Sequence, residues 1–340
     1  MKRPCALILA AGKGVRMKSD RPKVMHEILG LPMVFYPVNI CMEIGADVIA
    51  VVGHGKEYAM PYLEELGAEC VIQDPPMGTG DAVRVARDML VEKESEDILI
   101  VPGDMPLVRK ESIEALVSAY RESSADMAVL TSIMDNPYGY GRIIRNGEGH
   151  VTEIVEESDA DTIQRQVKEV NTGVYIARKD FLLNSVPMLH PENAKGEFYL
   201  TDIVKMADTV VSSRVIDGEE ANGINSRVQL ARANEVLRSR INISLMEEGV
   251  TLYDPLTTWI SPIACISRDA EIWPGVHILG RSKIGGNVKI MPNTWIRDSY
   301  IGGGSVVGNN SVIENSSIKQ DSRIAPNSNI IGPPGPAEEQ

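Results

Sequence analysis

An aliphatic residue recurs every six positions through the last third of the sequence: Ile260, Ile266, Ile272, Ile278, Ile284, Ile290 and Ile296. A five-residue step then reaches Ile301, steps of six reach Val307 and Ile313, a second five-residue step reaches Ile318, and Ile324 and Ile330 follow at six. An amphipathic helix places apolar residues three and four apart, so it cannot produce this spacing. A hexapeptide parallel β-helix can, with each aliphatic side chain pointing inward from one side of a triangular coil. At three steps per turn, residues 251–331 make roughly four coils. The tail "GPPGPAEEQ", residues 332–340, cannot continue the pattern and is expected to be disordered.

The sequence before the ladder has a different rhythm. Residues 226–250 read as one long helix joining two domains, with Leu230, Leu237, Ile241 and Leu245 on one side and Gly249 as its stop. Residues 1–225 alternate aliphatic runs with helical stretches. The strand candidates are "CALILA", "DVIAVV", "DILIV", "DMAVLTSI" and "VNTGVYIA", and "GDAVRVARDML" and "ESIEALVSAY" are helix candidates. Such a pattern predicts an α/β domain with a mostly parallel sheet covered on both faces. Ligands in these sheets sit beyond the carboxyl ends of the strands.

A length of 340 residues suits two domains. The net charge of -13 argues against nucleic acid or an anionic membrane as partner. Cys5, Cys41, Cys70 and Cys265 show no framework spacing, which suits free thiols in a reducing cytoplasm. "MKRPCALILAAG" has some features of a signal peptide, but its apolar run is short and a basic cluster follows at once, so it reads as a first core strand. No run is long enough for a transmembrane helix. His26, His54, His150, His190 and His277 have no metal-ligand spacing and read as structural or solvated.

Against this acidic background "AAGKGVRMKSDRPK" concentrates Lys13, Arg16, Lys18, Arg21 and Lys23 just after the first strand. Gly12 and Gly14 let backbone N–H groups approach an anion. The stretch is neither a P-loop nor a dinucleotide fingerprint, since it lacks GK[ST] and has Met17 at the third glycine position. It reads as a polyphosphate site, although a solvated turn suits Lys18 and Arg21 better. "ILIVPGDMPLV" places Asp104 at the carboxyl end of a buried strand, as a Mg²⁺ ligand beside phosphates or as a turn cap. "QDPPMGTGDAV" brings Gln73, Gly78 and Thr79 to a helix entry, and Gln73 offers the donor and acceptor that complement a uracil edge.

In order along the chain, "LILAAGKGVRMKSDRPKV", "GTGDAV", "VPGDMPL", "YGYGRIIR", "VTEIVEESDA", "VNTGVYIA", "GEFYLTDIV" and "GINSRVQL" resemble the bacterial bifunctional N-acetylglucosamine-1-phosphate uridylyltransferase/glucosamine-1-phosphate acetyltransferase family over nearly all of residues 3–330. The resemblance implies a Rossmann-like nucleotidyltransferase domain followed by a left-handed parallel β-helix. It implies a cytoplasmic enzyme that takes UTP and N-acetylglucosamine 1-phosphate with Mg²⁺, and assembles as a homotrimer through the β-helix. Carried over, Leu9, Ala10, Ala11, Gly12, Gly14, Pro102 and Gly103 hold the nucleotide, with Gln73, Gly78 and Thr79 on the uracil. Arg16 and Lys23 contact phosphates, and Asp104 and Asn225 hold the metal. Gly141, Glu156 and Asn171 contact the amino sugar; Tyr199 and Thr201 either join them or serve as a packed Tyr and a helix N-cap.

Three departures qualify the likeness. Ser158 stands where the family has a lysine, and Pro102 where some members have tyrosine. Both leave open another sugar 1-phosphate, of N-acetylgalactosamine or glucose. The ladder is also shorter than the family's, which carries the acetyltransferase residues further along, so no acetyl transfer is expected. A non-catalytic assembly subunit is the alternative from a different class, and retention of Arg16, Lys23 and Asp104 argues against it.

Overall fold

The computed structural model describes residues 3–333 and divides into two compact units, residues up to 26 with 32–227, and 27–31 with 228 onward. From residue 334 the expected disordered tail lies outside the described residues.

The first unit is built on a nine-stranded sheet. Its strands are β1 (Cys5–Ala10), β2 (Asp47–Val52), β3 (Glu69–Ile72), β4 (Asp97–Pro102), β5 (Met127–Ile133), β6 (Arg142–Arg145), β7 (Val151–Val155), β8 (Glu169–Arg178) and β9 (Val210–Ile216). The order is β9-β5-β8-β4-β1-β2-β3, with β6 paired to β8 and β7. Alternation splits each central strand between two cores. Ala6, Ile8, Val48, Ala50, Leu99 and Val101 enter one; Cys5, Leu7, Ile49, Val51, Ile98 and Ile100 enter the other. Helices α1 (Phe35–Glu43), α2 (Lys56–Glu65) and α5 (Lys110–Ser123) cover the first face; α3 (Thr79–Val85), α4 (Arg87–Glu92) and α6 (Lys179–Ser185) cover the second. Burial on both faces is what makes these strands continuously apolar.

Two expectations need correction. The sheet is mixed rather than mostly parallel, because β8 runs antiparallel to both neighbours, β4 and β5. Between β5 and β8 the chain makes the antiparallel β6–β7 pair with no crossover helix, and a parallel return would need one. The helix expected at "GDAVRVARDML" is two short helices divided at Ala86.

The second unit opens with α7 (Arg227–Glu247), whose Leu237 is buried and whose Ile241 and Leu245 pack on the core of the repeats. Gly249 ends it with a positive φ. Short parallel strands then form three sheets of five, five and four strands, a parallel β-helix with the isoleucine ladder inside. Every corner from Ile266 to Ile330 turns on one residue of positive φ, always Gly, Asn or Asp, the residues that tolerate it. The five-residue steps shorten a corner: His277 pairs with Trp295, whereas Lys283 pairs with Tyr300. Asn293 donates to Asn310 (3.4 Å) and Asn310 to Asn327 (3.2 Å), a polar ladder outside the apolar one.

All four cysteines are free, and burial pushes the Cys5 and Cys41 thiols up to about 12. No described helix is long and apolar enough to cross a membrane.

Candidate active site

The carboxyl ends of β1 and β4 lie side by side, Leu9 opposite Pro102, and the Gly103 N–H bonds the Leu9 carbonyl at 2.9 Å. A cleft of about 670 Å³ opens beyond them. Leu9, Ala10, Ala11, Gly12 and Gly14 form one wall, with Lys13 and Arg16 exposed along it. Lys18 and Arg21 are exposed and are not part of that wall. Gly14 has a φ of 59°, and a Cβ there would stand 2.5 Å from Lys23 Cβ, so the loop closes on Lys23 only because this residue is glycine.

Lys23 is thereby held over two oxygen atoms from distant parts of the unit. Its ammonium donates to Asp104 Oδ2 in a close ion pair and to Asn225 Oδ1 at 3.0 Å. The Ile224 N–H bonds the Asp104 carbonyl at 2.9 Å, which brings the segment before α7 against the end of β4. The Asn225 amide nitrogen donates to Gly223 O at 3.3 Å, turning its oxygen toward the lysine. One carboxylate and one amide oxygen are hard donors already arranged around a cation. They could hold a divalent ion and would leave most of its positions to phosphate and water, as small hard cations are usually held beside nucleotides. Among the described residues no group of three or more His, Cys, Asp or Glu offers an alternative.

Gln73, Gly78 and Thr79 belong to the same cleft. Gly78 begins α3 with a φ of 109°, and the loop before the helix is laced to a second segment: Phe198 N to Met77 O and Gly80 N to Phe198 O, both 2.8 Å. Thr79 Oγ1 accepts from the Leu200 N–H at 3.0 Å, so its oxygen has a structural role as well.

Glu156, Asn171 and Thr201 also line the cleft. Burial raises the Glu156 carboxyl above its ordinary value, opposed by the Lys195 charge and by the Thr201 hydroxyl, which donates to it at 3.3 Å. Asn171 is fixed at both ends of its amide, donating to Tyr175 Oη at 2.5 Å and accepting from the Gly173 N–H at 2.9 Å. Pro102 packs on Gly173, where a Cβ would come within 3.0 Å of the ring.

Three expected residues stand off the wall. Gly103 and Gly141 are buried behind it, Gly141 accepting from the Asn171 N–H at 2.9 Å. Tyr199 faces a separate cleft of about 170 Å³ with Asp159, Asp202 and Lys205, and its hydroxyl lies 3.4 Å from the exposed Ser158. Lys195, four residues before Tyr199, has its ammonium 5.8 Å from that ring centre. The sequence reading missed Gly173, Tyr175 and Glu197 on the wall, and Asp81 behind it. The only signal for Asp81 was an acid in the first turn of α3.

Residues 6–167 match the MobA-like NTP transferase domain. The bifunctional protein GlmU of Geotalea daltonii is 42% identical over 308 residues, 89% of this chain and 67% of that protein. The namesake proteins of Geotalea uraniireducens and Carboxydothermus hydrogenoformans are 43% and 41% identical, over 89% and 87% of this chain and 68% and 67% of their own. The chain thus spans about two thirds of the length of these relatives. Identity of 41–43% over two thirds of these relatives, together with the matching NTP transferase domain that carries the Gly-rich loop and Asp104, places the chain in the family of the bifunctional GlmU proteins, as a nucleotidyltransferase.

Proposed function

We propose that the chain transfers the uridylyl group of UTP to N-acetylglucosamine 1-phosphate, giving UDP-N-acetylglucosamine and pyrophosphate with Mg²⁺ as the cation. The observation that carries this reading is the Lys23–Asp104–Asn225 cluster, in one cleft with Gln73, Gly78 and Thr79 and with Glu156, Asn171 and Thr201. The phosphate oxygen of the sugar ester attacks the α-phosphorus, and the bond to the bridging oxygen breaks as pyrophosphate leaves with its electron pair. The nucleophile is already an anion, so no general base is needed. The difficulty is to align two polyanions and neutralise charge, which positioned cations supply. Held by Asp104 and Asn225, Mg²⁺ would neutralise charge on the phosphates that meet there. Lys23 steadies the reacting phosphates, and Arg16 with the Gly12–Gly14 backbone receives the pyrophosphate. Gln73, Gly78 and Thr79 take the uracil; Glu156, Asn171 and Thr201 take the sugar.

Pyrophosphate release from UTP and N-acetylglucosamine 1-phosphate tests the reading, and no release with Mg²⁺ supplied sinks it. Pro102 on the cleft wall supports a second reading, in which the N-acetylgalactosamine or glucose ester is preferred. Specificity constants across the three esters decide between them. For the coils we propose assembly as a homotrimer in the cytoplasm, without acetyl transfer. A monomer in sedimentation, or acetyl-CoA turnover on glucosamine 1-phosphate, would overturn those parts.

A further inference from the structure

We propose that Asp81 is a positioning residue that sets which nucleobase the cleft accepts, by fixing the direction in which the Gln73 amide faces it. The inference rests on the nucleotide site proposed above and deepens it. Gln73 follows β3, its backbone N–H bonded to Val52 O at 2.8 Å, and the residue is 2% exposed on the cleft wall. Both hydrogens of its amide are used inside the protein. Nε2 donates to Asp81 Oδ2 at 2.7 Å and to Gly78 O at 3.0 Å. Among the described residues none donates to Oε1, which is not sealed from solvent and is left to accept from a ligand. Turning the amide over would set Oε1 against a carboxylate and a carbonyl oxygen, acceptors both, so the network itself assigns the orientation. Asp81 is 5% exposed and is held from its other side by Arg84, whose Nε donates to Oδ1 at 3.0 Å and whose guanidinium lies 4.3 Å from the Phe198 ring centre.

An amide presented only as an acceptor separates the two pyrimidines. Uracil offers an N3–H donor at the centre of its pairing edge, where cytosine offers a bare N3 acceptor. Uracil satisfies Oε1, whereas cytosine sets one lone pair against another. A glutamine free to turn would donate to cytosine instead, and Asp81 together with Gly78 O removes that option. Sites built around a fixed buried hydrogen-bonding group reject ligands that leave it unpaired.

The test is calorimetric binding of UTP and of CTP to the wild-type chain and to Asp81→Ala, Asp81→Asn and Arg84→Ala. Wild type should prefer UTP, and Asp81→Ala should reduce that preference roughly five- to fiftyfold, the scale of one buried polar mismatch. Asp81→Asn should keep it, since the new amide oxygen can accept from Gln73 while Arg84, 44% exposed, turns to solvent. Arg84→Ala should keep it as well. A wild type that binds CTP as tightly as UTP overturns the proposal. So does an Asp81→Ala variant that weakens both nucleotides equally, the result expected if Asp81 only supports the loop. Pyrophosphate release measured in parallel reports on the transfer reaction separately, so failure of that reading is distinguishable from failure of this one.

Discussion

Replacing Lys23 by methionine should tighten divalent-cation binding to the nucleotide-free protein. The Lys23 and Asp104 side chains are only 12% and 19% exposed, and the ammonium also bonds Asn225 Oδ1 at 3.0 Å. A cation arriving at Asp104 and Asn225 must first displace this ammonium. A hydrogen bond to a charged partner is worth about 1.5–3 kcal/mol net, and that amount opposes the incoming ion. With about 1.4 kcal/mol per factor of ten, Lys23→Met should lower the dissociation constant roughly 10- to 100-fold. Methionine keeps the stem that packs on Gly14 and removes only the charge. Titration with Mn²⁺, followed by electron paramagnetic resonance without nucleotide, reads the affinity directly. Transfer activity should fall in the same variant, because its phosphates lose a cation. An unchanged or weaker affinity for Mn²⁺ would refute the reasoning and move the cation away from Asp104 and Asn225.

Gly78→Ala should cost about 1–3 kcal/mol in urea unfolding and weaken UTP binding, because its φ is 109° and the added Cβ would lie 2.5 Å from the Phe198 backbone oxygen. Burial raises the Glu156 carboxyl, so the folded chain holds this proton more tightly than the unfolded one. Stability should therefore be fullest below 4.5 and fall as pH rises through the raised value. Glu156→Gln should flatten that part of a urea-midpoint profile, and an identical profile would remove the argument. Ile296→Ala empties a fully buried position of the coil core and should cost about 2–5 kcal/mol, seen as a lower melting temperature by circular dichroism.

The parts of the fold that were legible share a cause. Ile272, Ile290 and Val307 sit at one side of successive coils because a six-residue period has only one structural solution, and local sequence states it. The runs at Cys5–Ala10 and Asp97–Pro102 were readable because both faces of each strand are buried. Arg142–Arg145 and Val151–Val155 were not read as strands: they mix charge with aliphatic residues and pair mainly with each other. The direction of β8 depended on what links it to β5, which strand composition does not encode. In the site, Asp104 and the basic loop announced themselves by their place after aliphatic strands. The pairing of Asn225 with Asp104 came only through the family resemblance, and the bond from Lys23 to Asn225, 202 residues apart, only through the structure, because no spacing rule reaches that far. Asp81 was hidden for the opposite reason. It lies eight residues from Gln73, but an acid in a first helical turn already has a sufficient local explanation.

The join between Lys23 and Asn225 also has a meaning in time. Chains emerge amino end first and domains fold as units in that order. The strands that carry the Gly-rich loop, Gln73 and Asp104 all leave the ribosome long before Asn225 does. Nascent protein can thus own most of the cleft while lacking the second oxygen that holds the Lys23 ammonium. The Lys23 cluster is therefore completed only as the last act of building the first unit.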